Sequence, residues 1–298
     1  MGTGWTAQIV VPADGMPDDV EAGIIAVLDR IVAQMSHWEP ASDLSRFNRS
    51  APGSRVQLPP EFSRVLAAAL RIAEASGGAF DPAMGALADL WGFGPGGPRD
   101  TVPAPGPIAE TLRRSGRSAI EHDPLLLHAR RMALAELDFS GIAKGYAVDA
   151  VAAHLRERGF VDFLVEIGGE FVGAGIQPDG QPWWVDVEPV PGKALPPLRI
   201  ALHELAVATS GDSRRSFAAD GVTYSHTLDP RTGRPIANGV ASVTVLHAEC
   251  MLADAWATAL TVLGPEDGMA LAEREGLAAH MVVRGRELLS SGLEAMLG

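Results

Sequence analysis

Apolar residues recur at the three- and four-residue spacing of an amphipathic helix in several stretches of this chain. The first pattern runs from Val20 to Met35. The second, around Glu61–Ala75, stops at Gly77-Gly78, where glycine readily ends a helix. The remaining helical patterns lie near Ile108–Ser115, over Ser140–Arg158, over Met251–Gly264 and near Glu266–Glu275.

Polar and apolar residues alternate in other segments, as they do in a half-buried β-strand. Strands are predicted at Trp5–Val11, Val161–Ile167, Trp183–Glu188, Leu205–Thr209, Ser242–His247 and His280–Val283, together with a strand pair that ends in Ala133–Phe139. Helices interleaved with such strands indicate an α+β fold of mixed sheets and helices. Because no linker-like change of composition interrupts the chain, we expect one large domain over residues 1–298, with two closely packed α/β subdomains as the alternative.

Composition narrows the class of protein. With 47% hydrophobic and 20% charged residues, the chain is predicted to be a soluble globular protein without a membrane-spanning stretch. A formal net charge of −13 argues against binding to nucleic acid or to an anionic membrane, but it is compatible with a local positive pocket for a phosphorylated ligand. The single cysteine, Cys250, excludes an intramolecular disulfide and is expected in the core.

The segment Tyr224–Pro235, YSHTLDPRTGRP, concentrates reactive side chains where we expect neither regular helix nor regular strand. Pro230 lacks a backbone donor and disfavours helical backbone at Asp229, and Thr232-Gly233 is typical of a turn. Loops of this kind lie at the surface and often carry function, which makes His226 a candidate. The alternative is a polar hairpin tip in which Asp229 only caps its own turn.

A second segment, LDFSGIAKGYAVD (Leu137–Asp149), indicates a ligand with phosphate groups. A strand is predicted to end at Asp138, followed by a Ser-Gly turn and a helix with Lys144 near its start. Small residues at a helix N-terminus let backbone amides approach an anion, and Lys144 adds positive charge there. The alternative is an N-capped helix with Lys144 in solvent.

A third candidate lies on the helix predicted at Met251–Gly264. Asp254 and Thr258 are four residues apart and therefore share a helix face. A carboxylate and a hydroxyl on one face suit Mg²⁺. Taken alone, the pair favours the alternative, in which Asp254 is a first-turn acid and Thr258 bonds back to a carbonyl.

Three further features are less specific. Gly92, Gly94 and Gly97 satisfy G-x-G-x-x-G, but a proline interrupts the motif and no helical pattern follows, so we predict a tight loop. Phe80–Pro82 is typical of a turn that presents an aromatic ring and a carboxylate. Trp38 falls in a polar loop predicted after the first helix, where its indole stacks on a flat ring or fills the core.

In their order along the chain, these segments resemble the ApbE family, the FAD:protein FMN transferases. The most specific motifs are YSH-x-L-D-P-R-T-G-x-P and D-x-x-G-I-A-K-G-Y. The resemblance also covers MGTGW, MSHWEPASDLSRFN, GGAFDPAMGALADLWGFGP, VEIGGE, ATSGD and LADAWATALTVLG, and so nearly the whole chain. It implies transfer of FMN from FAD to a threonine or serine hydroxyl of an acceptor protein, with release of AMP. FAD is then a substrate, and Mg²⁺ is the cofactor.

The resemblance implies roles for individual residues. Met1 and Trp38 correspond to flavin-contacting positions. The positions that line the nucleotide in the family correspond to Ala79, Phe80, Asp81, Asp138, Lys144 and Leu228. The Mg²⁺ site corresponds to Asp254, Thr258 and the backbone carbonyl of Gly141, with Ala257 adjacent. His226 matches the histidine that acts on the incoming hydroxyl.

Departures from the family pattern lie beside the matched positions. Ser213-Arg214 follows SGD where an aromatic residue and an acid are frequent, and Ala86 and Asp89 stand where proline and asparagine are common. They bear on the choice of acceptor more than on chemistry. Two other functions fit the same site, namely a Mg²⁺-dependent FAD pyrophosphatase that gives FMN and AMP, and a non-catalytic FAD-binding protein. A base and a metal site argue against binding alone, because storage needs neither.

The first fifteen residues, MGTGWTAQIVVPADG, lack the apolar core and the lipidated cysteine of an export signal, although the family is mostly exported and lipid-anchored. The M-G-T motif also begins at Met1. We therefore expect a cytoplasmic protein without a membrane anchor that acts on a cytoplasmic acceptor. The alternative is a periplasmic or membrane-anchored protein from which a leader has been removed.

Overall fold

The computed structural model describes residues 2–11, 13, 15–188, 198–211, 216–219 and 221–297. In these ranges the α-helices are α1 (Val20–Met35), α2 (Asp43–Arg49), α3 (Pro60–Ala75), α4 (Gly85–Leu90), α5 (Pro105–Arg114), α6 (Ala143–Glu157), α7 (Cys250–Leu263), α8 (Pro265–Glu275) and α9 (Ser291–Leu297). The strands are β1 (Trp5–Ile9), β2 (Val56–Gln57), β3 (Ile120–Asp123), β4 (His128–Arg131), β5 (Phe163–Ile167), β6 (Glu170–Ala174), β7 (Trp183–Asp186), β8 (Arg199–Leu202), β9 (Leu205–Gly211), β10 (Ser216–Ala219), β11 (Val222–Ser225), β12 (Leu228–Asp229), β13 (Arg234–Pro235), β14 (Val240–His247), β15 (Ala278–Val283) and β16 (Arg286–Leu289).

The main sheet has the strand order β1-β5-β6-β9-β14-β15-β16, and every neighbouring pair is antiparallel. Alternation along β9 shows how both faces are used: Ala206 and Ala208 face one core cluster, while Val207 faces another. Helices α1, α3, α6 and α7 contribute to the first cluster, and β7, β8 and α9 to the second. The α+β fold predicted from the sequence is confirmed.

Helix α7 lies in the interior and packs against β9, β14 and α6. Nearly all of its residues are buried, as expected of a helix that is apolar on most sides. Cys250, at its start, is fully buried, so its predicted place in the core is confirmed. In the described part of the chain, no helix combines the length and apolar character needed to cross a membrane.

Two local predictions were wrong. The polar loop predicted after the first helix contains α2, whose N-terminus is capped by the Ser42 hydroxyl accepting a hydrogen bond from the Ser45 amide (3.0 Å). The segment predicted as a strand at Ala133–Phe139 forms no strand, and the strand pair is instead β3–β4. The amides of Leu137 and Asp138 bond to the Asn48 side chain and the Pro82 carbonyl, both at 2.7 Å, so local polar groups replace a strand ladder.

The glycine-rich loop after α4 was predicted correctly as a tight loop. Gly92 and Gly97 have φ values of 80° and 89°, a conformation that favours glycine. The next helix, α5, begins only at Pro105, so the glycines do not open a helix as the dinucleotide motif requires.

Candidate active site

Two adjoining cavities of about 200 and about 320 Å³ share Ser140, Lys144 and His226 in their walls and so form one cleft. Most of the residues predicted for the site line the smaller cavity: Ala79, Phe80, Asp81, Asp138, Gly141, Lys144, His226, Leu228, Asp254 and Thr258. Segments far apart in sequence are therefore brought together around one space.

Three other residues were predicted for the site, namely Trp38, Met1 and Ala257. Trp38 lines the larger cavity, and Met1 lies outside the described residues, as does the departure at Ser213-Arg214. Ala257 is fully buried and lines neither cavity. Its backbone carbonyl accepts a hydrogen bond from the Thr261 hydroxyl (2.8 Å).

One wall of the cleft, here called the helix wall, consists of α6 and α7. The two helices approach so closely at Gly145 that a Cβ atom there would lie 2.3 Å from the carbonyl oxygen of Cys250, which only glycine avoids. Asp149 on α6 fixes the position of α6 along α7, because its carboxylate accepts hydrogen bonds from the amides of Cys250 and Met251, both at 2.9 Å. These amides belong to the first turn of α7 and would otherwise lack partners.

The register of the helix wall brings Lys144 next to Asp254. The Lys144 ammonium lies 3.5 Å from Asp254 Oδ1 and bonds to the fully buried Glu170, and the Gly145 amide donates to Asp254 Oδ2 at 3.1 Å. Burial alone would lower the pKa of Lys144, but the two carboxylates outweigh it and raise the pKa, so the ammonium is charged. The alternative in which Lys144 points into solvent is therefore wrong.

The structure also bears on the alternative interpretation of Asp254 and Thr258. Asp254 lies beyond the first turn of α7, where its side chain meets Lys144 and the Gly145 amide rather than the start of its own helix. Thr261, not Thr258, makes the bond back to a helix carbonyl. Both findings favour a site over simple helix capping.

The donor set suits a hard cation. A Cβ added at Gly141 would lie 3.0 Å from the Thr258 hydroxyl, so the backbone of Gly141 lies beside Thr258, and Asp254 lines the same cavity. Within the described residues, no group of three or more His, Cys, Asp or Glu side chains could hold a metal. One carboxylate, a hydroxyl and a carbonyl still fit Mg²⁺, which binds through one or two carboxylates together with waters and substrate phosphates.

Two aspartates, Asp81 and Asp138, line the smaller cavity in different environments. The Asp81 carboxylate accepts hydrogen bonds from the amides of Ala83 and Arg117, both at 2.8 Å, and burial raises its pKa despite these bonds. Through these two bonds the Asp81 carboxylate links the turn at residues 81–83 to the backbone of Arg117. It contributes to the cavity wall while both of its oxygens are already engaged.

Asp138 has a different environment. It accepts bonds from the amide (2.8 Å) and hydroxyl (2.6 Å) of Ser140, and His37 Nδ1 lies 3.2 Å away. Burial would raise the pKa of Asp138, but His37 and Ser140 outweigh it and hold the pKa at about 2. Our sequence reasoning missed His37, although it directly precedes Trp38 in the motif.

Trp38 is 51% exposed, which excludes the alternative that it fills the core. Its ring lies 5.1 Å from that of His37 in a tilted arrangement. An indole at the rim of the larger cavity presents a flat apolar face, which suits stacking on a planar ring.

Another wall of the cleft contains His226–Leu228 and Pro230 of the segment Tyr224–Pro235, here called the His226 hairpin. The expectation that this segment contains no strand was wrong, since β11 ends within it and β12 pairs with β13. The turn at Thr232-Gly233 is confirmed, because the Gly233 amide donates to the Asp229 carbonyl (2.8 Å) with φ of 66° at Gly233. Asp229 also accepts a bond from the Arg231 amide, as the hairpin-tip alternative predicted. The Asp229 turn therefore belongs to a hairpin that also places His226 and Leu228 in the cleft wall.

Lys144, the oxygen-bearing side chains of Asp254 and Thr258, and His226 thus converge on one cleft. The model of the ApbE family matches residues 1–281 of the chain. The chain therefore belongs to the ApbE family, which confirms the resemblance drawn from the motifs.

Relatives and solved structures agree with this assignment. The chain is 38% identical over 290 residues to an FAD:protein FMN transferase of Vibrio cholerae (95% of this chain, 85% of that protein), and 35% identical to one of Haemophilus influenzae (88% and 77%). The fold matches the apo Pseudomonas stutzeri flavinyl transferase ApbE with a TM-score of 0.91 at 36% identity (99% of this chain, 93% of that one). The flavin transferase ApbE from Vibrio cholerae matches with a TM-score of 0.92 at 35% identity (99% and 96%).

Proposed function

We propose that this protein is a Mg²⁺-dependent FAD:protein FMN transferase that moves FMN from FAD to a threonine or serine hydroxyl of an acceptor protein and releases AMP. The observation that carries the proposal is the convergence of Lys144, the Asp254–Thr258 pair and His226 on one cleft. The names of the relatives support the same activity.

Each residue has one role in the proposed reaction. The acceptor oxygen forms a bond to the phosphorus on the FMN side, and the bond from that phosphorus to the bridging oxygen breaks, so AMP leaves with that oxygen. His226 takes the hydroxyl proton, which is the usual role of an imidazole near neutral pH. Asp254, Thr258 and the Gly141 carbonyl would hold Mg²⁺, which supplies positive charge beside the pyrophosphate.

Lys144 and Trp38 would orient the substrate. Lys144 is charged and held by Glu170 and Asp254, so it offers a fixed cation next to the phosphates without a cost of reorganisation. Trp38, at the rim of the larger cavity, would stack on the isoalloxazine ring. Because the flavin is transferred intact, its redox chemistry has no role.

The test is an incubation with FAD and Mg²⁺, with and without a candidate acceptor protein. The readouts are AMP by chromatography and flavin fluorescence on the acceptor band after denaturing electrophoresis. We expect AMP and fluorescence to appear together, and only when the acceptor carries its hydroxyl. An acceptor with that residue changed to alanine is the matched control.

Two results would overturn the proposal. Equal AMP release with and without the acceptor, with no labelled band, would assign a pyrophosphatase that uses water in place of the hydroxyl. Tight FAD binding without AMP in either reaction would assign a storage protein.

A further inference from the structure

The His226 hairpin has little backbone support from the rest of the fold. Within the described residues, β12 and β13 pair only with each other, and β10 and β11 likewise form a separate two-stranded sheet. The seven-stranded sheet therefore does not fix the hairpin through strand ladders. Its position beside the cleft must come from side chains.

Trp91 contacts the hairpin on both sides of His226. Its indole Nε1 donates to the Gly233 carbonyl at 2.8 Å, and its ring centroid lies 5.8 Å from that of Tyr224. The side chain is 1% exposed. The Trp91 amide donates to the Leu87 carbonyl, so the indole is anchored at the end of α4.

The far end of the hairpin fits closely against its support. A Cβ at Gly233 would lie 3.3 Å from both Leu87 and Ile108, on α4 and α5. The Gly233 carbonyl thus meets the Trp91 donor where the hairpin backbone already touches these two helices. A buried carbonyl that lost this donor would be costly, so the bond is a strong positional constraint.

A series of rings leads from Trp91 to His226. Tyr224 stacks on Phe217 (5.2 Å, 21°), Phe217 lies 5.8 Å from Phe93, and Phe93 meets the His226 ring edge to face (6.3 Å, 72°). Edge-to-face and offset contacts between rings have preferred geometries, so each ring restricts the orientation of the next. Phe93, the last of these rings, restricts the orientation of the His226 imidazole.

We infer that Trp91 is a positioning residue for His226, acting through Gly233 and Tyr224 and through the rings that end at Phe93. The inference rests on the proposed function for His226 as the base. Trp91 lines neither cavity of the cleft, so it acts on the imidazole and not on FAD. Small misplacements of a reacting group, near 1 Å, cost about 10²-fold in rate.

The test is Trp91→Phe, which keeps an aromatic ring and removes the indole donor. Trp183→Phe is the matched control, because Trp183 is 5% exposed and its Nε1 also donates to a backbone carbonyl, that of Ala174 (2.7 Å), outside the cleft. We expect kcat for FMN transfer to fall about 10- to 100-fold in Trp91→Phe, with the Kd for FAD unchanged. Trp183→Phe should keep kcat even where it lowers the melting temperature.

A double-variant cycle tests the route of the effect. In a His226→Ala background, Trp91→Phe should cause no further loss of kcat, because the group that it positions is gone. Full additivity would overturn the inference, and so would equal kcat values in Trp91→Phe and Trp183→Phe. A rise in the Kd for FAD would instead assign Trp91 to substrate binding.

Two further measurements separate this inference from the proposed function. Phe93→Leu removes the ring contact with the imidazole and leaves the bond to Gly233 intact, so it should also lower kcat. It keeps the inference testable if Trp91→Phe fails to fold. NMR of the histidine ring protons should show the His226 signal shifted by Trp91→Phe and unchanged by Trp183→Phe, whether or not wild-type protein transfers FMN. An unmoved signal refutes the inference, whereas failed transfer by wild-type protein refutes the function.

Discussion

The two walls of the cleft are built in different ways. The helix wall is fixed by backbone contact at Gly145 and by the Asp149 carboxylate on the first amides of α7, and it holds charges that are already paired. The His226 hairpin has short strands and depends on side chains, chiefly an indole bond and ring contacts. The paired charges thus lie on the helix wall, and His226, the proposed proton acceptor, lies on the hairpin that side chains support.

This difference fits the chemistry proposed for each wall. A phosphate group and its cation need the same geometry in every turnover, and preorganised charge is worth most when it does not move. The base must meet a hydroxyl that arrives on another protein. The side chains that support the hairpin, chiefly Trp91, therefore set the position of the proposed base relative to that partner.

The largest effect is expected on the helix wall, from Asp254→Asn. This change removes the only full negative charge proposed for the metal site and keeps the shape of the side chain. FMN transfer should fall below detection while the melting temperature and far-UV spectrum stay close to wild type. Asp267→Asn, at an exposed acid in α8, is the control and should be fully active. Mg²⁺-dependent turnover in folded Asp254→Asn would remove Asp254 from the mechanism.

On the hairpin wall, His226→Ala should lower the rate of transfer by about 10²–10⁴-fold, the usual contribution of a positioned base. FAD affinity, measured by quenching of flavin fluorescence, should stay the same. His203→Ala is the control, since His203 is exposed and bonds to the Gly175 carbonyl away from the cleft. If FAD binding collapses in His226→Ala, the histidine is a ligand contact and the base lies elsewhere.

A pH effect tests the anchor of the helix wall. Burial raises the pKa of Asp149 from 3.8 to about 6, in spite of its bonds from the α7 amides. The folded state therefore binds a proton more tightly than the unfolded state, and the stability from this group is complete below about pH 4 and lost as pH rises through 6. Between pH 5 and pH 7 the group should lower the free energy of unfolding by about 1 kcal/mol.

In Asp149→Asn, the part of the pH dependence of the free energy of unfolding that comes from this carboxyl should disappear. The measurement is chemical denaturation of wild type and variant at pH 5 and pH 7, with Asp267→Asn as the control that keeps the wild-type slope. If the free energy of unfolding changes equally between pH 5 and pH 7 in wild type and in Asp149→Asn, Asp149 does not titrate in this range.

The smallest effect is expected from Arg231→Gln on the hairpin. The Arg231 guanidinium bonds to both oxygens of Asp229 at 2.9 Å, but the arginine side chain is 42% exposed, and exposed pairs contribute about 0–1 kcal/mol. The backbone amide of residue 231 still bonds to Asp229 in the variant. We expect kcat within threefold of wild type. A loss as large as that in Trp91→Phe would show that the ion pair, and not the indole, holds the hairpin.

Periodicity predicted α1, α3 and α6 well, because each helix buries a regular stripe. It failed at α2, where the buried Leu44 and Phe47 are surrounded by polar residues in a helix of only two turns. It also failed at Leu137-Asp138, where the Asn48 side chain and a loop carbonyl accept the backbone hydrogen bonds. Such partners are distant in sequence and leave no local pattern.

The site was predicted from motifs rather than from periodicity, and the structure brings most of those residues together. Glu170 ends the matched motif VEIGGE, but its pairing with Lys144, 26 residues away, leaves no local pattern in the sequence. Asp149 was part of a matched motif, yet its contact with the start of α7 depends on helix packing. The roles of the individual residues remain predictions that the variants above address.

The contact at Gly145 has a consequence for how this protein can change through mutation. The atom that a new side chain would strike is the backbone oxygen of residue 250, which every amino acid carries. No replacement at position 250 can therefore act as a suppressor of a substitution at 145. The close approach that brings Lys144 next to Asp254 therefore makes glycine a requirement at position 145.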